Sequence, residues 1–210
     1  MTSERRVRWQ SGQVARFKPL IFLLCLCPVW RWVWLVYSGQ GLGANPPEFL
    51  IRSSGLWALV MLWLTLAITP LRRLSGQPAL VAWRRMLGLF GFFYTVLHLL
   101  GWAWWERGGS LAEMWLDVVQ RTFVWVGVLA FLPMLLLALT STRGWMRRLG
   151  VWWQRLHYSI YVVAGLSILH FWLVRSGKVD FREPLVYGAV LAILLGLRLV
   201  WCVKRPPHQR

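Results

Sequence analysis

The chain has 210 residues, of which 58% are hydrophobic and only 15% charged, and 17 are tryptophan. A single domain of that size cannot hide so much apolar surface from water, so the composition excludes an ordinary soluble protein and makes lipid the natural solvent. A net charge of +17 would suggest nucleic acid in a soluble protein. Here the basic residues form short clusters between apolar runs rather than a basic face, so no nucleic-acid partner is expected.

Six apolar runs are long enough to cross about 30 Å of hydrocarbon at 1.5 Å per helical residue. They cover about 19–37, 53–71, 86–105, 122–140, 156–174 and 185–203. The expected fold class is an all-α membrane protein, a six-transmembrane-helix bundle. Its organisation is a basic tail over 1–18, a transmembrane domain over 19–203 and a second tail over 204–210. Strand-like alternation is absent, which argues against a transmembrane barrel. The first run follows basic residues, as in a signal peptide. It is nevertheless of membrane length, with no small-x-small cleavage site behind it, and reads as an uncleaved helix. It contains Cys25, Cys27 and Arg31. The two cysteines, like Cys202 in the last run, read as small buried hydrophobes because no C-x-x-C or C-x-x-C-H pattern exists. Arg31 could snorkel or neutralise a carboxylate of a bound group.

The connections fix an orientation. The N-terminal tail, the second and fourth connections and the C-terminal tail carry sixteen basic residues, among them Arg72, Arg84, Arg147 and Lys204, against the single acid Glu4. The other three connections carry six basic residues balanced by Glu48, Glu106, Glu113, Asp117, Asp180 and Glu183. The positive-inside rule therefore predicts both termini in the cytoplasm of a bacterial inner membrane. Trp pairs such as Trp104-Trp105 and Trp152-Trp153 fall near helix ends, where interfacial belts account for them. No connection exceeds about twenty residues, and neither dinucleotide nor P-loop glycine signatures occur. A nicotinamide or ATP domain would have to be another polypeptide.

Four histidines remain. His208 lies in the tail and reads as a solvated residue. His98 lies in the second half of the third run, about twelve residues or ~18 Å from its start. His170 lies about fourteen residues or ~21 Å along the fifth run, which has the same direction. Equal depth lets one metal bridge them. The spans hold almost no acids to make a proton relay, and neutral imidazole is a metal ligand. The bland alternative is an interhelical hydrogen bond at each. His157 opens the fifth run, ~20 Å nearer the cytoplasm and about 220° around an ideal helix from His170, so a bend would have to bring the two into one cavity. Arg84, fourteen residues before His98, shares nearly its face. It could pair with a haem propionate, a flavin phosphate or a quinone oxygen, or serve only as a positive-inside charge.

The segments Arg84-Arg85-Met86-Leu87-Gly88-Leu89 and Leu97-His98-Leu99 resemble the third helix of the MsrQ (YedZ) family. Leu139-Thr140-Ser141-Thr142, followed by Trp153-Gln154-Arg155-Leu156-His157, Ile160-Tyr161 and His170, resembles the same family. Gly41-Leu42-Gly43-Ala44 and Ile68-Thr69-Pro70-Leu71 are similar to its first loop and second helix. The resemblance implies a ferric reductase-like membrane protein with haem b, one or two per chain. It implies delivery of electrons from the quinone pool, or a cytoplasmic flavin reductase, to MsrP. MsrP is a periplasmic molybdopterin subunit that reduces methionine sulfoxide in oxidised proteins. By the same resemblance His98 and His170 are haem ligands and His157 belongs to a cytoplasmic-side site. Arg84 stands where related oxidases have histidine, and FMN is a further cofactor of the family. A same-fold haem protein with ferric iron or oxygen as acceptor is the second expectation. A non-redox transporter or assembly factor is the third, weakened by the lack of intramembrane acids and of repeated half-sequences.

Overall fold

A computed structural model describes residues 11–176 and 181–203. The tail cations, His208, Lys178 and Asp180 lie outside the described residues, as does the side chain of Cys202. Ten α-helices follow one another among the described residues: α1 Ser11–Arg16, α2 Lys18–Ser38, α3 Pro46–Ser75, α4 Val81–Gly101, α5 Leu111–Gln120, α6 Thr122–Leu139, α7 Arg143–Leu149, α8 Val151–His157, α9 Ile160–Ser176 and α10 Arg182–Val203. No strand occurs among them. Six helical stretches are long and apolar enough to cross a membrane, α8 and α9 together forming the fifth. The protein is an all-α bundle of six transmembrane helices. Six crossings put Ser11 and Val203 on one face of the bundle, here the terminal face, and the α2–α3, α4–α6 and α9–α10 connections on the opposite face.

The helices outrun the apolar segments where capping chemistry favours it. Helix α3 begins at Pro46, about seven residues before its apolar run. Asn45 accepts a hydrogen bond from the Glu48 backbone N–H, and Pro46 and Pro47 occupy first-turn positions that need no amide donor. Helix α4 begins at Val81, so Arg84 and Arg85 lie inside the helix rather than in a connection. The fifth span is interrupted: His157 closes α8 instead of opening a continuous helix, and Tyr158 and Ser159 form a turn before α9.

Helix α3 is central because it packs in two directions. With α2 and α4 it encloses Cys25, Trp32, Met61, Ile68, Leu87, Phe90 and Tyr94. With α6, α9 and α10 it encloses Leu59, Leu62, Leu66, Met134, Val163, Ala164 and Leu191. Polar groups inside this apolar medium find partners, as they must. The fully buried Tyr94 hydroxyl donates to the Cys25 carbonyl at 2.5 Å, next to Pro28 in α2. Pro70 cannot donate to the Leu66 carbonyl four residues back. Arg198 of α10 supplies that donor, and its guanidinium also bonds Thr69 Oγ1 and the Tyr161 hydroxyl. Buried Cys25 fits the hydrophobe expected of it, whereas Cys27 is exposed on the outer surface of α2. Arg31 is exposed as well, its guanidinium 5.9 Å from the Phe49 ring.

On the opposite face the chain between α4 and α6 is structured. Helix α4 widens into a π-helical turn over Trp102–Glu106, and α5 then lies between the spans. Asp117 of α5, 4% exposed, holds the corner together. Arg107 Nε and Arg121 Nε each lie 2.9 Å from its carboxylate, and Trp102 Nε1 donates to it at 2.9 Å.

Candidate functional site

His98 and His170 meet between the α3–α4 and α6–α9 helix pairs. Their ring centroids are 6.1 Å apart and the rings are nearly perpendicular, at 84°. From the true start of each span the two are about equally deep, because α4 begins at Val81 and α8 at Val151. Each ring is held by one device. His98 Nδ1 lies 2.8 Å from the Ile51 carbonyl, and His170 Nδ1 lies 2.7 Å from the Phe123 carbonyl. A carbonyl only accepts, so both Nδ1 atoms carry the proton and both Nε2 atoms keep a lone pair.

Glycine makes these contacts reachable. A Cβ at Gly55 would sit 3.0 Å from His98 Nδ1, and one at Gly127 would sit 3.0 Å from His170 Nδ1. Any side chain there would displace the ring. The carbonyl, the glycine four residues on, and the histidine 47 residues after the carbonyl recur in both helix pairs. No repeat is visible in the sequence halves, yet the structure repeats this construction. Only the histidines were legible beforehand. A lone glycine in an apolar helix carries no message until its partner is known.

Chemically the arrangement offers two imidazole lone pairs side by side, a donor set that could hold one iron. An imidazole nitrogen binds a first-row metal at about 2.0 Å and lies roughly 1.1 Å from its ring centroid, so two axial imidazoles on one iron have centroids about 6 Å apart. The 6.1 Å separation matches. Backbone acceptors on the distal nitrogens are the usual means of fixing tautomer and orientation of a metal-bound histidine. No cluster of three or more His, Cys, Asp or Glu exists among the described residues, so a small multi-ligand metal centre has no support.

His157 is not part of this pair. It lies near the terminal face at the end of α8, stacked on Trp153 with centroids 3.9 Å apart. Its Nδ1 donates to the Trp153 carbonyl at 3.0 Å, and Trp153 Nε1 donates to the Thr140 carbonyl at 2.9 Å. Here too Nε2 is left unprotonated. Arg84 is half-buried and close enough to His157 and to Arg198 for the charges to interact. The structure therefore brings His98 and His170 together and leaves His157 apart from them, nearer the terminal face with Arg84 in its neighbourhood. Arg198, bonded to Leu66, Thr69 and Tyr161, is a further buried cation near Arg84. Its signal in the sequence was an arginine inside the sixth apolar run, paired with a proline in the second.

Residues 54–168 match the family model described as ferric reductase like transmembrane component. The chain is 55% identical over 193 residues to the protein-methionine-sulfoxide reductase heme-binding subunit MsrQ of Bordetella pertussis, covering 91% of this chain and 93% of that protein. It is 50% identical to the MsrQ subunit of Ralstonia nicotianae, covering 90% and 87%. Identity to the MsrQ subunit of Xanthomonas campestris pv. campestris is 44%, covering 91% and 89%. No solved structure matches the chain.

Proposed function

The chain belongs to the MsrQ family of haem-binding subunits, ferric reductase-like in its transmembrane part, and from that premise we propose that it is a membrane electron-transfer subunit. It takes electrons from quinol or a cytoplasmic flavin reductase. It passes them to a periplasmic molybdopterin subunit of the MsrP kind, which reduces methionine sulfoxide in oxidised proteins. The observation that supports this most is the His98–His170 pair, with centroids 6.1 Å apart and both Nδ1 protons engaged by backbone carbonyls.

In this reading His98 and His170 would hold a b-type haem through their free Nε2 atoms. When bound, the haem supplies a one-electron iron couple. The Ile51 and Phe123 carbonyls orient both imidazoles and hold the proton on Nδ1, which leaves each Nε2 free and makes it a better donor. The surrounding apolar helices exclude water. His157 and Arg84 serve the donor side. Arg84, with Arg198 nearby, offers positive charge to a propionate, a flavin phosphate or a quinone oxygen. His157 offers an unprotonated Nε2 to a second haem, or as acceptor of a proton released by quinol. FMN enters on family grounds alone. With basic clusters inside, the terminal face is cytoplasmic in a bacterial inner membrane, and the His98–His170 end lies toward the periplasm.

The test is a reduced-minus-oxidised spectrum with haem counted per chain, in wild type and in His98→Ala, His170→Ala and His157→Ala. Loss of haem in the first two is expected. Wild-type stoichiometry in both would refute the ligand assignment. Co-purification with a molybdopterin subunit separates this function from ferric or oxygen reduction by the same fold.

A further inference from the structure

Away from both histidine sites, a groove of about 460 Å³ runs between α2 and α4 at the terminal face. Lys18 and Arg85 stand at its mouth. Phe22 and Leu26 of α2 and Leu89, Phe90 and Phe93 of α4 line it. From Lys18 to Leu26, and from Arg85 to Phe93, is eight helical residues, or ~12 Å of depth, most of one ~15 Å leaflet. The walls are preset by ring contacts: Phe22 meets Phe90 edge-on at 5.1 Å, and Phe90 meets Phe93 at 6.1 Å. The mouth is preset too. Helix α1 is pinned to α4 by the buried Val14, whose carbonyl accepts from Trp83 Nε1 at 3.1 Å, and this fixes where Lys18 begins α2.

Charge selects the occupant. Among the described residues every acid (Glu48, Glu106, Glu113, Asp117 and Glu183) belongs to the opposite face, and neither Lys18 nor Arg85 has an ion-pair partner. Glu4, the remaining acid of this side, lies outside the described residues. Two cations above a leaflet-deep apolar slot match a headgroup with net negative charge joined to an acyl chain. A zwitterionic headgroup would bring its own ammonium against Lys18 and Arg85. We propose that the α2–α4 groove is a binding site for an anionic glycerophospholipid, its phosphate between Lys18 and Arg85 and one acyl chain along Phe22, Leu26, Leu89 and Phe93.

The experiment uses the full chain in neutral detergent. Native mass spectrometry and thermal unfolding are followed with dioleoylphosphatidylglycerol, dioleoylphosphatidylcholine, dioctanoylphosphatidylglycerol and a long-chain ubiquinone. Dioleoylphosphatidylglycerol should be retained at least tenfold better than the choline lipid and should raise the midpoint of unfolding. The preference should vanish in Lys18→Gln/Arg85→Gln. Leu89→Trp, which fills the slot and leaves both charges, should weaken the dioleoyl lipid down to the dioctanoyl one. It carries the test alone if the charge variant loses its helical signal. Equal binding of the choline lipid, indifference to both variants, or displacement of the phosphatidylglycerol by ubiquinone would each overturn the proposal.

Discussion

Replacing Gly127 by alanine puts one methyl group where the His170 ring now lies. The new Cβ would be 3.0 Å from Nδ1 and 3.1 Å from Cε1, whereas ordinary contact begins near 3.4 Å. Ring or helix must give by about 0.4 Å, and the 2.7 Å hydrogen bond to the Phe123 carbonyl is what that movement breaks. Overpacking of this size costs about 1–3 kcal/mol. Losing the outer partner of a metal-bound histidine weakens metal affinity by about 10- to 100-fold. The two agree, since tenfold is about 1.4 kcal/mol. Gly127→Ala should thus bind haem 10- to 100-fold more weakly and shift the midpoint potential upward, because an imidazole without its acceptor donates less to ferric iron. Gly55→Ala should do the same through His98 and Ile51. Gly165→Ala in α9, where a Cβ meets nothing within 4 Å, is the control and should change neither. The assay is haem titration of the purified protein with potentiometric spectra. Wild-type affinity and potential in both Gly127→Ala and Gly55→Ala would refute the idea that these glycines set the rings.

Asp117→Ala removes the buried carboxylate shared by Arg107, Arg121 and Trp102. It should destabilise by about 2–3 kcal/mol, below the usual loss for a broken buried pair because Arg121 is half exposed and rehydrates. The readout is a lower unfolding midpoint and new protease cutting within α5. Tyr94→Phe removes the hydroxyl's hydrogen bond to the Cys25 carbonyl and should cost about 0.5–1.5 kcal/mol, seen as a lower midpoint with unchanged helical content. Arg198→Met strips the Leu66 carbonyl, Thr69 and Tyr161 of their shared partner. It should lower the unfolding midpoint, and hydrogen exchange should rise in α10 and around Pro70. An unchanged exchange pattern would show that the clamp is dispensable.

The six spans were legible because hydrocarbon thickness converts directly into a count of apolar residues. The His98–His170 pairing was legible because two spans run the same way and depth along a helix is arithmetic. What fixes those rings was not. Ile51 and Phe123 act through backbone carbonyls, which every residue owns, and Gly55 and Gly127 act by lacking a side chain. Helix ends also escaped the hydropathy pattern wherever polar residues extend a helix: Asn45, Pro46 and Glu48 start α3 early, and Arg84 and Arg85 are helical. Helix α5 was hidden in a connection because ten residues are too few to register as a span. The turn at Tyr158 and Ser159 has no glycine or proline to announce it. Arg198 was readable in principle, as the donor a proline in a neighbouring helix requires.

The bond between Arg198 and the carbonyl exposed by Pro70 bears on how the last helix is seated against the second span. Helix α10 carries its cation about sixteen residues, or ~24 Å, from its first residue, level with the lower part of α3. Threaded the other way up, the same helix would strand a guanidinium in the wrong half of the bilayer and leave a proline-broken carbonyl facing hydrocarbon. One arginine opposite one proline thus ties the last span to the second at a single register, satisfying a carbonyl that hydrocarbon could not.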